Sequence, residues 1–449
     1  MSAALYIVHA IDTEGPLYES IEASFERLEK ITGLKLEASK SNLEKIKNKE
    51  INLNGKEELA ALITSPQLLN YNDTWDKVDE MLNELLSPEY RNKYADKLGN
   101  GWIYSWFIVD HIGFKTNPRR RDIGYHNIYD HYKFILKETN SQQDEINWHF
   151  HPASRYQEAH ICATSYLNSP HLYESLARGI IDRNFFPSTF RPGFHAERPD
   201  AHWFLEQWIP FDYANQAIAG EANDPNQNDV SAGRLGDWRR AISDWSPYKP
   251  SHDDYQIAGN CNRTIFRCLN VGTRFKLLDE AEVRQAFKRS QSGKPTILAF
   301  TNHDFRDMRN DLDYVHKLVS KVAQDYPEVI WQHAGAKEAA QKVLGLKKRD
   351  FKLSTKITKL ATGLHLDLKA NFDSFGPQAF LAIKTKDKRY LTDNFDLQIP
   401  KRHWTYIFDE DTILPDSIDT IGIASNDQNG NTFVINLKPD GKIISQTSL

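Results

Sequence analysis

Cysteine is nearly absent from this chain, with only Cys162, Cys261 and Cys268 among 449 residues. So small and odd a number argues against a disulfide framework and fits a reducing compartment. None of the three has the CxxC spacing of a structural zinc site. Long apolar runs are also missing, and no stretch approaches the ~18 residues of a membrane span. The first apolar run, ALYIVHAI, is short, lacks a basic leader and runs straight into Asp12, so it reads as a core strand rather than a secretory signal. These absences predict a cytoplasmic protein with no membrane span. Charge of one sign is lacking too. The 56 Lys and Arg against 61 Asp and Glu leave a formal charge of −5, which argues against nucleic acid as a partner. There is no internal repeat and no low-complexity tract.

The chain is long for one domain, so two are expected. Its 40% hydrophobic content suffices for a large core, and most of the 12% aromatic share reads as that core, with rings for sugar faces as the sharper alternative. Residues 4–12 read as a buried strand. A polar, amphipathic stretch, about 18–98, carries helical spacing in ESIEASFERLEKI, KEELAALI and DKVDEMLNELL, and reads as a helical insertion before a strand at 102–110. Helical patterns at 126–138, 165–181 and 199–209 alternate with strands at 145–151, FFPSTFRPG and FDYANQ. The Asn- and Gly-rich run 221–237 reads as a loop near the substrate mouth. A strand in KPTILAFTNH, a helix in DLDYVHKLVSKVAQDY and a last strand in EVIWQHAG complete an α/β unit over 1–346, a barrel or a doubly wound sheet. After KKRD, residues 351–449 show short alternating strands with NG and DG turns and predict a small all-β sandwich.

Polar residues stand at the ends of the apolar runs, where parallel α/β folds place their chemistry. Asp12 and Glu14 lie two apart and share a face of an extended strand; one can ligate a cation while the other acts as base, and either assignment is open. His149 and His151 in EINWHFHP place two imidazoles on one side, with Pro152 fixing an extended exit. Two His and one carboxylate form a face that leaves positions for water and substrate. Arg191, in FRPGF, has the fork to orient a catalytic carboxylate. His303 ends TILAFTNH; held by a carboxylate such as Asp304, it has the range of a general acid. Asp110 and His111 are placed at the same mouth, Asp212 as a group orienting Arg191 or touching substrate, and Trp245 as a pocket wall. His126 and His131 read as structural, and His160 and His171 receive no role.

This ordered set resembles the polysaccharide deacetylase family, the NodB-homology carbohydrate esterases. The resemblance spans about 4–340 as spaced motifs: Asp12 and Glu14, then His149 and His151, then Arg191-Pro192-Gly193-Phe194, then Phe211-Asp212-Tyr213, then His303. The usual second carboxylate is Asp where this chain has Glu14, and the commoner histidine spacing is HxxxH, which would fall on Ala153. The resemblance implies an irregular (β/α) barrel and a divalent metal, zinc first, held by Glu14, His149 and His151. It implies Asp12 as base oriented by Arg191 or Asp212, and His303 as acid. Apart from the resemblance, the candidate substrate contacts are Asp110, His111, Phe194 and Trp245. The implied reaction removes an acetyl or similar acyl group from a saccharide or glycan precursor. The alternatives are a degenerate glycan-binding relative, or another metal-dependent C–N or glycoside hydrolase.

Overall fold

A computed structural model of the chain describes residues 2–65, 69–117, 119, 124–159, 161–163, 165–220, 236–273 and 276–449. The parallel strands are β1 (Leu5–Thr13), β2 (Tyr104–Val109), β3 (Glu145–Phe150), β4 (Thr189–Pro192), β5 (Phe211–Asn215), β6 (Thr264–Asn270), β7 (Thr296–His303) and β8 (Trp331–His333). Their order is β2-β3-β4-β5-β6-β7-β1, and β1 pairs back onto β2, closing a seven-stranded barrel. β1 is buried along its whole length, as a near-continuous apolar run in a parallel sheet should be. One edge lies on β7; the other is shared, with Leu5–Ile7 on β8 and His9–Thr13 on β2.

Alternation sorts the strands into two faces. Leu5, Ile7 and Ile11 join Trp106, Ile108, Leu298 and Phe300 under the outer helices. Tyr6, Val8 and Ala10 join Phe107, Phe211, Tyr213, Phe266, Cys268 and Ala299 in the barrel interior. The helices Asn127–Glu138, His171–Arg183, His202–Trp208, Glu280–Gln291 and Arg309–Ala323 follow their strands in turn.

The expected insertion over 18–98 divides in two. Helices Ile21–Thr32, Lys40–Lys47 and Glu57–Ile63 enclose a small core of their own around Phe25, Leu28, Ile46 and Ile63. Helix Trp75–Leu85, capped by the Thr74 hydroxyl, instead buries Val78, Met81, Leu82 and Leu85 in the main core. It is a barrel helix, so the true insertion ends near 63. The run 221–235 of the expected mouth loop lies outside the described residues.

One directed hydrogen-bond chain ties β1 to β7. Trp102 can only donate, and its Nε1–H meets His9 Nδ1 at 3.1 Å. His9 must then carry its hydrogen on Nε2, which donates to Asn302 Oδ1 at 2.8 Å. Asn302 Nδ2 in turn donates to Asp311 at 2.9 Å. Burial pulls the His9 imidazole down to about 3.

Residues 351–449 form two antiparallel sheets. The strands are β9 (Leu353–Lys359), β10 (Leu364–Ala370), β11 (Phe380–Thr385), β12 (Tyr390–Asp393), β13 (Asp396–Ile399), β14 (His403–Phe408), β15 (Ile418–Asn426), β16 (Thr432–Leu437) and β17 (Ile443–Ser448). Sheet β13-β14-β10-β9 faces sheet β12-β11-β15-β16-β17 across a core that includes Leu366, Trp404, Phe408, Ile383, Ile423 and Ile435. The opposite face of the five-stranded sheet packs Phe380, Ala382, Ala424 and Val434 onto Leu176, Ala177, Ile180 and Trp208 of the barrel. Asn426 Nδ2 donates to the carbonyls of Pro187 and Trp208, each at 2.8 Å. The sandwich is therefore docked on the barrel through a shared apolar core, tied across the seam by these two bonds. Among the described residues no helix is long and apolar enough to cross a membrane.

Two predictions follow from these contacts. A Cβ on Gly376 would stand 1.8 Å from the Gln207 carbonyl oxygen, whereas one on Gly422 would meet Ile180 and Ile181 side-chain carbons at 2.8 Å. Gly376→Ala should therefore cost more stability than Gly422→Ala, against a usual overpacking cost of about 1–3 kcal/mol; equal melting points would contradict this docking. His9 makes the second. Between about pH 6.5 and 3 the unfolded imidazole takes a proton that the folded one refuses, so its contribution to stability falls as pH falls. His9→Gln should be less stable at pH 7 by about 1–3 kcal/mol, with a flatter decline of melting temperature toward pH 4 than the wild type.

Candidate metal and acid–base site

Parallel strands bring their C-terminal ends to one mouth, and the register brings specific residues together there. Asp12 lies beside His303 across β1 and β7, and His149 beside Arg191 across β3 and β4. Two steps beyond Ala10, Asp12 continues the interior row of β1.

Glu14, His149 and His151 converge, with one ligand atom from each lying within 4.8 Å of the others. His149 Nδ1–H donates to the Arg191 carbonyl at 2.9 Å, which places the ring's lone pair on Nε2, the nitrogen facing His151. That Nε2 stands 2.9 Å from His151 Nε2, and Glu14 Oε1 is 3.8 Å from the first and 3.4 Å from the second. A circle through three points at these spacings has a radius of about 2.0 Å, the reach of nitrogen and oxygen ligands to zinc. The donor set fits a divalent cation. Three further contacts hold the Glu14–Gly15 backbone from behind. The Glu14 backbone N–H and that of Gly15 donate to Asp304 at 2.8 and 2.9 Å, and His111 Nε2 lies 3.2 Å from the Glu14 carbonyl oxygen.

Asp12 is forked by Arg191, Nε to Oδ1 at 2.6 Å and Nη2 to Oδ2 at 3.1 Å, with both side chains buried. Burial alone would raise the Asp12 pKa, but Arg191 and then His149 outweigh it and hold the carboxyl far below the usual range. Arg191 completes its set with the Tyr213 carbonyl at 2.6 Å and His195 Nδ1 at 3.3 Å. His303 Nε2 stands 3.8 Å from Asp12 and 3.9 Å from Glu14. Burial pulls His303 down to about 4, so it is neutral at neutral pH.

Several sequence expectations need correction. Asp304 does not hold His303; besides Glu14 and Gly15 it accepts from Tyr132 Oη at 2.7 Å. Asp212 does not orient Arg191. It alternates with the inward Phe211 and Tyr213 and so faces out, 3.4 Å from Arg263 Nε. Burial and the adjacent Glu197 push its carboxyl well above the usual range. Asp110 shares the phase of the outward Trp106 and Ile108. It accepts from the His126 backbone N–H at 2.8 Å and from Ser175 Oγ, away from the mouth. Trp245 is no pocket wall: it is buried, donates to the Glu282 carbonyl at 3.1 Å, and lies under Arg267. His111 and Phe194 are at the site. The Phe194 ring stands edge-on to His151, centroids 5.0 Å apart.

His195 was missed by sequence reasoning. It follows Arg191 by four positions in RPGFH, and that proximity was the available signal. Phe194 and His195 both have positive φ, 55° and 51°, a strain of about 1–3 kcal/mol each that clusters at functional sites. A second convergence, His202, Glu206 and Cys261, surrounds the buried Arg263. Arg263 Nη1 donates to His202 Nδ1 at 2.7 Å and to Glu206 at 2.8 Å. His202 Nε2 therefore carries its hydrogen, and this group cages a guanidinium rather than offering a metal an open face.

No family profile matches this chain, and no curated protein matches it. Among solved structures, beta-glucosidase 3B from Thermotoga neapolitana in complex with glucose aligns at 10% identity and a TM-score of 0.12, over 94% of this chain and 62% of that one. The chain thus spans less than two thirds of that protein's length, and a likeness this low carries no argument.

Removing Arg191 should expose how the site is held. Arg191→Met strands Asp12 as a buried, unpaired charge and should cost about 3–5 kcal/mol in thermal or urea unfolding. Adding Asp12→Leu should recover much of that loss; a double variant as unstable as the sum of its parts would show that the pair is not the unit described.

Proposed function

We propose that this chain is a metal-dependent hydrolase that removes an acetyl or similar acyl group from a saccharide or glycan precursor, in the manner of the NodB-homology deacetylases. The observation that supports it most directly is the convergence of Glu14, His149 and His151 beside an Asp12 forked by Arg191. Glu14, His149 and His151 would hold a divalent cation, zinc first, and a cation there supplies an activated water and polarisation of the acyl carbonyl. Asp12 is free of the ligand triangle and is the acceptor for the water's proton. Arg191 aims it and, through its two bonds, keeps it ionised until the proton arrives.

His303 serves in a second step. Because its imidazole is neutral at neutral pH, it donates a proton only after receiving one. Asp12 Oδ2, 3.8 Å away, is the group positioned to pass it on. His303 then protonates the leaving amine or alcohol. Phe194 covers one side of His151 and limits water there. The sandwich contributes no residue to this constellation; one of its sheets is committed to the barrel, and the outer face of the other carries Asp367, Lys369, His403 and Thr405.

Metal content of the purified protein tests the reading. About one zinc or similar cation per chain is expected, lost in His149→Ala/His151→Ala, with acetate release from acetylated sugars lost as well. Asp12→Asn should keep the metal and lower the rate by about 10²–10⁴-fold. A wild type that takes up no metal after reconstitution overturns the proposal. Stoichiometric metal without release of any acyl group favours a different metal-dependent hydrolysis.

A further inference from the structure

Arg191 has no acceptor atoms, so its Nη2–H, 3.3 Å from His195 Nδ1, must donate to that nitrogen. The neutral ring of His195 then carries its hydrogen on Nε2. That Nε2–H makes no hydrogen bond to any described residue, although the side chain sits one guanidinium away from Asp12.

The surrounding structure holds the residue in this pose. The His195 carbonyl accepts Trp238 Nε1–H at 2.8 Å. Gly236 N–H donates to the Phe194 carbonyl at 3.1 Å, and a Cβ on Gly236 would fall 1.8 Å from the His195 carbonyl oxygen. Two consecutive left-handed residues, Phe194 and His195, are thus fixed between Arg191 on one side and Trp238 with Gly236 on the other. A strained, clamped residue with one locked acceptor and one uncommitted donor is organised to meet something outside the protein.

We infer that His195 is a substrate-binding residue whose Nε2–H donates to an uncharged oxygen of the substrate, a carbonyl or hydroxyl next to the scissile acyl group. The acceptor is uncharged because the Asp12–Arg191 pair is already matched and a neutral imidazole brings no net charge for a carboxylate or phosphate. The inference rests on the hydrolase reading for the identity of the bond that is cut, but not for the donor itself.

Nitrogen-15 NMR of the histidine rings in the metal-loaded protein at neutral pH should place the His195 hydrogen on Nε2. Titration with N-acetylglucosamine should shift that N–H. In acetate-release assays His195→Phe should raise KM about 5- to 100-fold with little change in kcat, and His195→Gln, whose amide can still donate, should recover much of it. Melting temperatures of both variants guard against a folding effect. If the wild type releases no acyl group but the sugar still shifts the His195 signal, the hydrolase reading falls and the donor stands. A hydrogen on Nδ1 overturns the inference, as does an unchanged KM in His195→Phe beside an active wild type.

Discussion

A single buried ion pair, Asp12 with Arg191, organises the barrel mouth. Two charges without solvent survive only if every lone pair and hydrogen is matched, and here the matching extends outward. The guanidinium that forks Asp12 also takes the Tyr213 carbonyl and the His195 ring, while the Arg191 carbonyl takes His149. One side chain and its own backbone thereby set the ionisation of a carboxylate and the tautomers of two histidines. The candidate ligand His149 presents the correct nitrogen because of a hydrogen bond on its other side.

A second carboxylate plays the matching role from just beyond the end of β7. Asp304 binds the Glu14 and Gly15 backbone N–H groups and the Tyr132 hydroxyl, so the end of β1 is clamped before Glu14 turns toward the histidines. Candidate ligands and proton-transfer groups therefore stand on strand ends whose backbones are themselves hydrogen-bonded, and positional error at the mouth is small. The Arg263 cage on the outer face of β5 holds the neighbouring elements, and it accounts for carboxylates that would otherwise be taken as part of the site.

The sandwich belongs to the same mechanical unit. Its five-stranded sheet rests on helix His171–Arg183, which packs over β3 and β4 through Trp148, Phe150 and Phe190. The strands carrying His149 and Arg191 are thus backed by a helix that is backed by a sheet. Close contacts at Gly376 and Gly422 permit the approach.

Much of this was legible in the residues alone. Apolar runs ending in Asp12, His149, Arg191 and His303 announced parallel strands with polar residues gathered at one end, because a strand buried on both faces is apolar until it reaches the mouth. Short alternating strands with NG and DG turns announced the sandwich. Alternation was also available for Asp212, whose neighbours Phe211 and Tyr213 take the interior, but which face is the interior depends on how the sheet closes. What the tertiary structure alone decided was partnership. Whether Asp304 meets His303 or the Glu14 backbone, whether Asp110 turns to the mouth or to Ser175, and whether Trp245 lines a pocket or a core depend on strand order and register. Those follow from the packing of distant segments, and local sequence does not encode which distant segment arrives.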